Sequence, residues 1–204
     1  MTSLGIAEFA IIAISSIVAV MEPFSTIAVY ATLTKNMELG ERNKTIKRSM
    51  KISFLVLAFF ALTGHLLFQI FNITIASFQI AGGILLVAVA LQMLNIGKTT
   101  PPKNSSEDIA IVPLAFPLTA GPGTITAVIL LMSRAENIPE SLLVFTGILA
   151  GILITYTGMK YSSRLFKLLR DEGLHVITAL MAIIVLAIAV QFIIEGVTSA
   201  IPQI

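Results

Sequence analysis

Six long apolar blocks separate the charged stretches of this chain, and they restrict its fold more than any other feature. Each block reaches the roughly 20 residues that a helix needs to cross a bilayer. A backbone in lipid must satisfy its own hydrogen bonds, so blocks this long predict helices. With 56% hydrophobic and 12% charged residues, the chain cannot cover itself with a polar surface, which predicts an all-α membrane protein. The blocks are Ile6–Leu33, Ile52–Phe71, Ile75–Ile96, Ile109–Met132, Leu142–Tyr161 and Val176–Val197.

A shift of 99 residues lays the first half of the chain over the second. Pro23 then falls on Pro122, and Gln92, the one polar residue of the segment Ile84–Leu94, falls on Gln191. Such matches are harder to obtain by chance than apolar pairs, so they predict a duplicated unit of three spans. We expect a first repeat at residues 1–97, a linker at 98–108 and a second repeat at 109–204.

The basic residues predict the orientation of the spans. Every Lys and Arg except Arg134 lies in the first, third or fifth connection, which the positive-inside rule assigns to the cytoplasm. Both termini are then expected outside. Because three spans per repeat is an odd number, the second repeat enters from the opposite side, and the duplication is inverted. Inverted repeats are typical of transporters that bind substrate near mid-membrane at interrupted helices.

Two blocks contain such an interruption at their midpoints, Glu22-Pro23 in the first and Gly121-Pro122-Gly123 in the fourth. Proline removes a backbone donor and glycine permits non-helical torsions, so both places predict broken helices. Half-helices that begin there present free amides to a carboxylate, while freed carbonyls suit an ammonium group or a small cation. The alternative is a pair of packing kinks, which the symmetry of the two positions disfavours. The predicted substrate-binding residues are Glu22, Pro23, Ser25, Thr26, Thr119, Ala120, Gly121, Pro122, Gly123 and Thr124.

Two ionisable residues within the spans are candidates for coupling transport to an ion. Glu22 is the one acid placed deep in the membrane, where such residues serve proton relay, cation coordination or ammonium binding. A protonated structural carboxylic acid is an equal alternative for Glu22. His65 could shuttle protons, although a lone histidine more often donates one interhelical hydrogen bond.

The fourth block also carries a family resemblance. Its residues 117–125, PLTAGPGTI, closely resemble the P-L-x-x-G-P-G-x-I signature of the MarC family, also called UPF0056 or SnatA-like. The resemblance implies a prokaryotic cytoplasmic-membrane protein of the LysE-like transporter grouping, in which at least one member has small neutral amino acids such as glycine or alanine as substrates. Relatives usually have Asn or Asp before the first-repeat proline, where this chain has Glu22.

The resulting prediction is a secondary transporter of small neutral amino acids that works by alternating access, with Na⁺ or H⁺ as candidate coupling ion. A channel also fits three-plus-three repeats with half-helices, although no Asn-Pro-Ala pair occurs. An intramembrane enzyme is disfavoured because His65 has no nucleophile setting to pair with. We expect no cofactor, no metal site and no nucleic-acid partner, and the oligomeric state stays open. The chain has no cysteine, which excludes thiol chemistry.

Overall fold

The computed structural model describes residues 5–34, 37–95, 109–166 and 171–201, and these ranges are helical apart from short connections. The predicted linker 98–108 lies outside the described residues. In chain order the helical segments are α1 (Ile6–Met21), α2 (Pro23–Leu33), α3 (Leu39–Ile70), α4 (Ile75–Asn95), α5 (Ala110–Thr119), α6 (Pro122–Arg134), α7 (Ile138–Phe166) and α8 (Asp171–Ala200).

Local sequence explains where several of these helices begin. α2 and α6 both start at a proline, whose missing N–H would lack a helical partner there anyway. Before α7, the Asn137 side chain accepts a 3.0 Å hydrogen bond from the Glu140 N–H, and the Glu140 carboxylate accepts one of 2.8 Å from the Glu136 N–H. The two bonds satisfy the Glu140 amide in the first turn of α7 and the Glu136 amide just before the helix. α5 is irregular, with wide π-type turns and extended torsions at Val112 and Phe116, the residues that precede its two prolines.

Several of the helices are long and apolar enough to cross a membrane. Within the described residues there are four such candidates, or five when the bent pair α5 and α6 counts as one span. One of them, Ile6–Leu33, combines α1 and α2 and has the bounds predicted from sequence. α4 contributes a shorter apolar stretch, Ile75–Leu91. The prediction of membrane-crossing helices is therefore confirmed, whereas the predicted number of six goes beyond this result.

α3 corrects the prediction of a charged loop before the second span. The sequence predicts that this span begins at Ile52, but α3 begins at Leu39 and continues through the charged run. The reason is a buried face that starts early, because Thr45, Ile46 and Ser49 are all buried at helical spacing. At 1.5 Å per residue, this 32-residue helix is about 48 Å long and exceeds the roughly 30 Å hydrocarbon core of a bilayer.

The helices pack across the two halves of the chain. α4 and α8 form the most extensive pair, while α1 and α2 lie on α7, and α5 and α6 lie on α3. Small residues let α4 and α8 approach closely, since a Cβ added at Gly83 or Gly196 would lie 2.7 Å from a carbonyl oxygen of the other helix. One buried core joins α2, the start of α3, α4, α5, the later part of α7 and α8. A second joins α1, the rest of α3, α6 and the earlier part of α7. Both cores therefore contain residues of both predicted repeats.

Candidate functional site

The first helix break lies at Glu22, between α1 and α2. Glu22 has a left-handed backbone, with φ 48° and ψ 62°, and its N–H donates to the carbonyl of Ala19 at 3.3 Å. A residue other than glycine seldom adopts this conformation. The helix resumes at Pro23, which supplies no donor of its own. The break thus falls where the proline in the sequence predicts it.

The second break lies at Ala120 and Gly121, between α5 and α6, and it bends the chain by 52°. The Ala120 N–H donates to the carbonyl of Ala115 at 2.8 Å, which closes a wide final turn. Gly121 is extended, with φ −75° and ψ 171°, and α6 begins at Pro122. No side chain caps the start of α6 or of α2. The first amides of both half-helices therefore have no side-chain cap.

Two glycines at the second break are required by close packing rather than by unusual torsions. The backbone of Gly121 suits any residue, but a Cβ there would overlap the carbonyl oxygen of Pro117. A Cβ at Gly123 would lie 2.6 Å from Cζ of Phe192. Any side chain at either position would therefore displace neighbouring atoms.

Both breaks border one cavity of about 20 Å³. This volume is enough for roughly one water-sized group. The first break, the second break and the two helices α4 and α8 each contribute to its wall. The lining residues are Val20, Glu22, Ser25 and Thr26 at the first break, Pro117, Leu118, Gly121 and Thr124 at the second break, Leu86 on α4, and Val185, Ile188 and Phe192 on α8.

Hydroxyl groups connect the ends of the broken helices around the cavity. The Thr124 hydroxyl, in the first turn of α6, donates to the carbonyl of Val20 near the end of α1 at 3.4 Å. The Ser25 hydroxyl donates to Oε2 of Glu22 at 3.5 Å. Both bonds are long and therefore weak, so a ligand could displace them at small cost. Glu22, half-buried, is the one acid among the lining residues.

The structure separates the predicted substrate-binding residues into two groups. One half lines the cavity, namely Glu22, Ser25, Thr26, Gly121 and Thr124. The other half is buried just behind the lining. Pro23 and Pro122 start their helices, and the Thr119 hydroxyl donates back to the carbonyl of Leu114 at 2.8 Å. Ala120 and Gly123 pack within the second break.

His65 lies apart from this cavity. It is exposed on α3, where its Nε2 is 2.9 Å from the side-chain nitrogen of Gln69. Within the described residues, no group of three or more His, Cys, Asp or Glu side chains is arranged to hold a metal ion. Of the two coupling candidates, Glu22 alone lines the cavity.

The apolar wall of the cavity was missed from the sequence. Leu86, Val185, Ile188 and Phe192 belong to the two helices with unbroken apolar patterns, so nothing local distinguishes them from other lipid- or core-facing residues. One signal was available, because Leu86 and Val185 are related by the same 99-residue shift as Ser25 and Thr124. The shift relates every residue of α4 to one of α8, however, and does not by itself single out this pair.

The fold and the site together define an integral membrane protein with two interrupted helices whose ends border one cavity. Residues 7–201 match the family described as MarC family integral membrane protein. The chain belongs to this family, which confirms the resemblance seen in the fourth block. The match to the family covers almost the whole chain and is not limited to the residues around the cavity.

Relatives from archaea and bacteria show the same extent of similarity. The chain is 34% identical over 200 residues to UPF0056 membrane protein MJ1677 of Methanocaldococcus jannaschii, covering 95% of this chain and 98% of that protein. It is 33% identical over 196 residues to UPF0056 membrane protein YvbG of Bacillus subtilis, covering 92% and 93%. It is 32% identical over 194 residues to UPF0056 membrane protein YhcE of Escherichia coli, covering 90% and 89%. No solved structure matches the chain.

Proposed function

We propose that this protein is a secondary transporter of small neutral amino acids that works by alternating access around its two broken helices. The observation that carries the proposal is the meeting of both breaks at one cavity. A zwitterion needs an anion site and a cation site a few ångströms apart. The ends of two interrupted helices supply both kinds of group.

The start of α6 is the proposed site for the substrate carboxylate. No side chain caps this helix, so the amides of its first turn are available to a ligand. The positive end of the helix dipole adds to the attraction of an anion. Thr124, which lines the cavity within this turn, provides a hydroxyl donor beside the amides.

The end of α1 and the Glu22 carboxylate are the proposed site for the substrate ammonium group. Carbonyls in the last turn of a helix lack helical partners and carry the negative end of the dipole. The Val20 carbonyl is one of these, and the weak bond from Thr124 leaves it open to a stronger donor. Glu22 adds a carboxylate at the same wall.

The apolar wall explains why the substrate should be small and neutral. Leu86, Val185, Ile188 and Phe192 face the groups that would hold the ammonium and carboxylate, so a charged side chain would meet no partner there. The cavity of about 20 Å³ has room for roughly one water-sized group, so we propose that the wall or a half-helix moves when an amino acid enters. Motion of this kind is what alternating access demands.

Six spans in a three-plus-three inverted arrangement complete the proposal. In the predicted duplication, α1 and α2 of the first repeat correspond to α5 and α6 of the second. α3 corresponds to α7, and α4 corresponds to α8. Under this exchange the packing of α1 and α2 on α7 becomes the packing of α5 and α6 on α3, and the α4–α8 pair maps onto itself. These relations support a duplicated three-helix unit. Its inverted direction, with both termini outside a prokaryotic cytoplasmic membrane, is proposed from the distribution of basic residues. H⁺, through Glu22, and Na⁺ are the candidate coupling ions.

Binding and transport of purified protein would test the proposal. A thermal-shift screen of the twenty amino acids, with and without Na⁺, should find stabilisation by glycine or alanine and little by charged or aromatic amino acids. In proteoliposomes, uptake should saturate and show counterflow. Non-saturating flux driven by osmotic gradients would instead indicate a channel, and absence of binding by any amino acid would refute the substrate class.

A further inference from the structure

We propose that one face of α3 binds an anionic phospholipid, with the headgroup on a stripe of four basic residues and the acyl chains on the apolar surface beyond it. The stripe consists of Lys44, Lys47, Arg48 and Lys51. All four are exposed. Their spacing of three, four and seven residues places them on one side of the helix. This inference does not depend on what the protein transports.

The length of α3 sets the depth of the stripe. About 20 of its 32 residues suffice to cross the hydrocarbon core, which leaves roughly twelve residues at one end. The apolar part of the helix begins at Ile52. The stripe therefore falls at the level of the lipid headgroups rather than in a free loop. Cationic side chains at that depth attract anionic headgroups more strongly than neutral headgroups.

The same side of α3 continues as an apolar surface. Beyond Lys51 the exposed positions on this face are Leu55, Phe59, Leu62 and Leu66, each more than half exposed. The opposite face, which includes Thr45, Ser49 and Ser53, is buried against the protein. Along the exposed face from the start of α3, the basic side chains come first and the apolar side chains follow. The headgroup and acyl chains of a lipid molecule have the same order. That order commits the stripe to a lipid rather than to a soluble anion.

The neighbouring charges favour an anionic ligand. Among the described residues of this segment, Glu41 is exposed one turn before Lys44 on this face and Glu38 precedes the helix, so the four cations of the stripe outnumber the carboxylates along it. Arg42 lies on the other side, half-buried with its guanidinium 5.8 Å from the centre of the Tyr30 ring. The local excess of positive charge is therefore concentrated on the exposed face.

Lipid-dependent stability of the full-length protein in a neutral detergent would test this site. Phosphatidylglycerol should raise the melting temperature more than phosphatidylcholine with the same acyl chains, because headgroup charge distinguishes the two. In Lys47→Gln/Lys51→Gln, the phosphatidylglycerol concentration for half-maximal stabilisation should rise roughly tenfold or more. The control Arg134→Gln/Lys160→Gln removes two exposed cations elsewhere and should respond like wild type.

Four results would overturn the proposal. Equal stabilisation by the two lipids would show that headgroup charge is irrelevant, and an equal loss in the control would show that net charge alone acts. Equal stabilisation by glycerol phosphate would assign the stripe to a soluble anion. A change of oligomeric state in Lys47→Gln/Lys51→Gln with an unchanged lipid response would assign it to a second copy of the chain. Native mass spectrometry of the same samples separates these outcomes by counting retained lipids and subunits.

Discussion

Replacing Gly123 by valine is expected to weaken substrate affinity by at least about tenfold while the protein stays folded. A Cβ at Gly123 would lie 2.6 Å from Cζ of Phe192 and 3.0 Å from Cγ1 of Val20. Both neighbours line the cavity. The new side chain fits only if the Phe192 ring moves or the start of α6 shifts away from α1. Each movement alters the place where the proposed carboxylate and ammonium sites meet.

The size of the effect follows from packing energies. Extra methyl groups forced into a packed interior cost about 1–3 kcal/mol. If distortion of the cavity relieves about 1.4 kcal/mol of this strain, and substrate binding requires the undistorted cavity, affinity falls about tenfold. Thr124→Val should have a smaller effect. Its bond to Val20 is 3.4 Å long, and one neutral hydrogen bond contributes about 0.5–1.5 kcal/mol.

Ligand titration by thermal shift would measure these affinities, with alanine as the probe and alaninamide as a competitor that lacks the anion. Gly40→Val is the matched control, because a Cβ at Gly40 meets no atom within 4 Å. It should bind alanine like wild type, and the amide should compete poorly. If Gly123→Val binds alanine with wild-type affinity and alaninamide competes as well as alanine, the carboxylate does not lie at the start of α6.

Two further predictions concern topology and substrate size. The chain has no native cysteine, so single cysteines can report the side of the membrane on which a residue lies. A membrane-impermeant reagent should label cysteines at Asn72 and Glu136 only from outside and one at Asn43 only from inside. Labelling of Asn72 and Glu136 from different sides would contradict the inverted repeat. Phe192→Ala should raise the affinity for valine relative to alanine in competition assays, because the ring closes the apolar wall, whereas Phe24→Ala, at a side chain 86% exposed, should leave the order unchanged.

The positions of the helix breaks could be predicted because their causes are local. Pro23 and Pro122 prevent helical hydrogen bonding whatever surrounds them, and the structure starts a helix at each. The bounds of the first span could also be predicted, because hydropathy is a property of the local sequence and does not depend on which helices touch. Family membership also followed from a local signature, residues 117–125.

Features that depend on which helices touch could not be read in this way. The role of Phe192 depends on its ring reaching Gly123 at the start of α6, and an unbroken apolar sequence does not say which side of α8 faces a neighbour. The same limitation applies to His65, whose exposed position on α3 depends on which face of that helix is buried. The early start of α3 could not be predicted, because the charged residues before Ile52 indicate a loop, whereas the helix begins earlier owing to a buried face that includes Thr45 and Ser49.

Glu22 combines an unusual backbone with a carboxylate, and substitutions can separate the two. Its left-handed torsions cost about 1–2 kcal/mol for most residues, whereas Asn and Asp adopt them more readily. Glu22→Asp and Glu22→Asn should therefore melt at higher temperature in detergent than wild type and Glu22→Gln. If the carboxylate couples transport to protons, Asp should keep pH-dependent net uptake, while Gln and Asn should lose it and retain exchange of bound substrate. Unchanged pH dependence in Gln and Asn would exclude Glu22 as the coupling group. Equal stability of all four proteins would show that the torsion at the break is not strained, leaving the carboxylate as the only reason for an acid at this position.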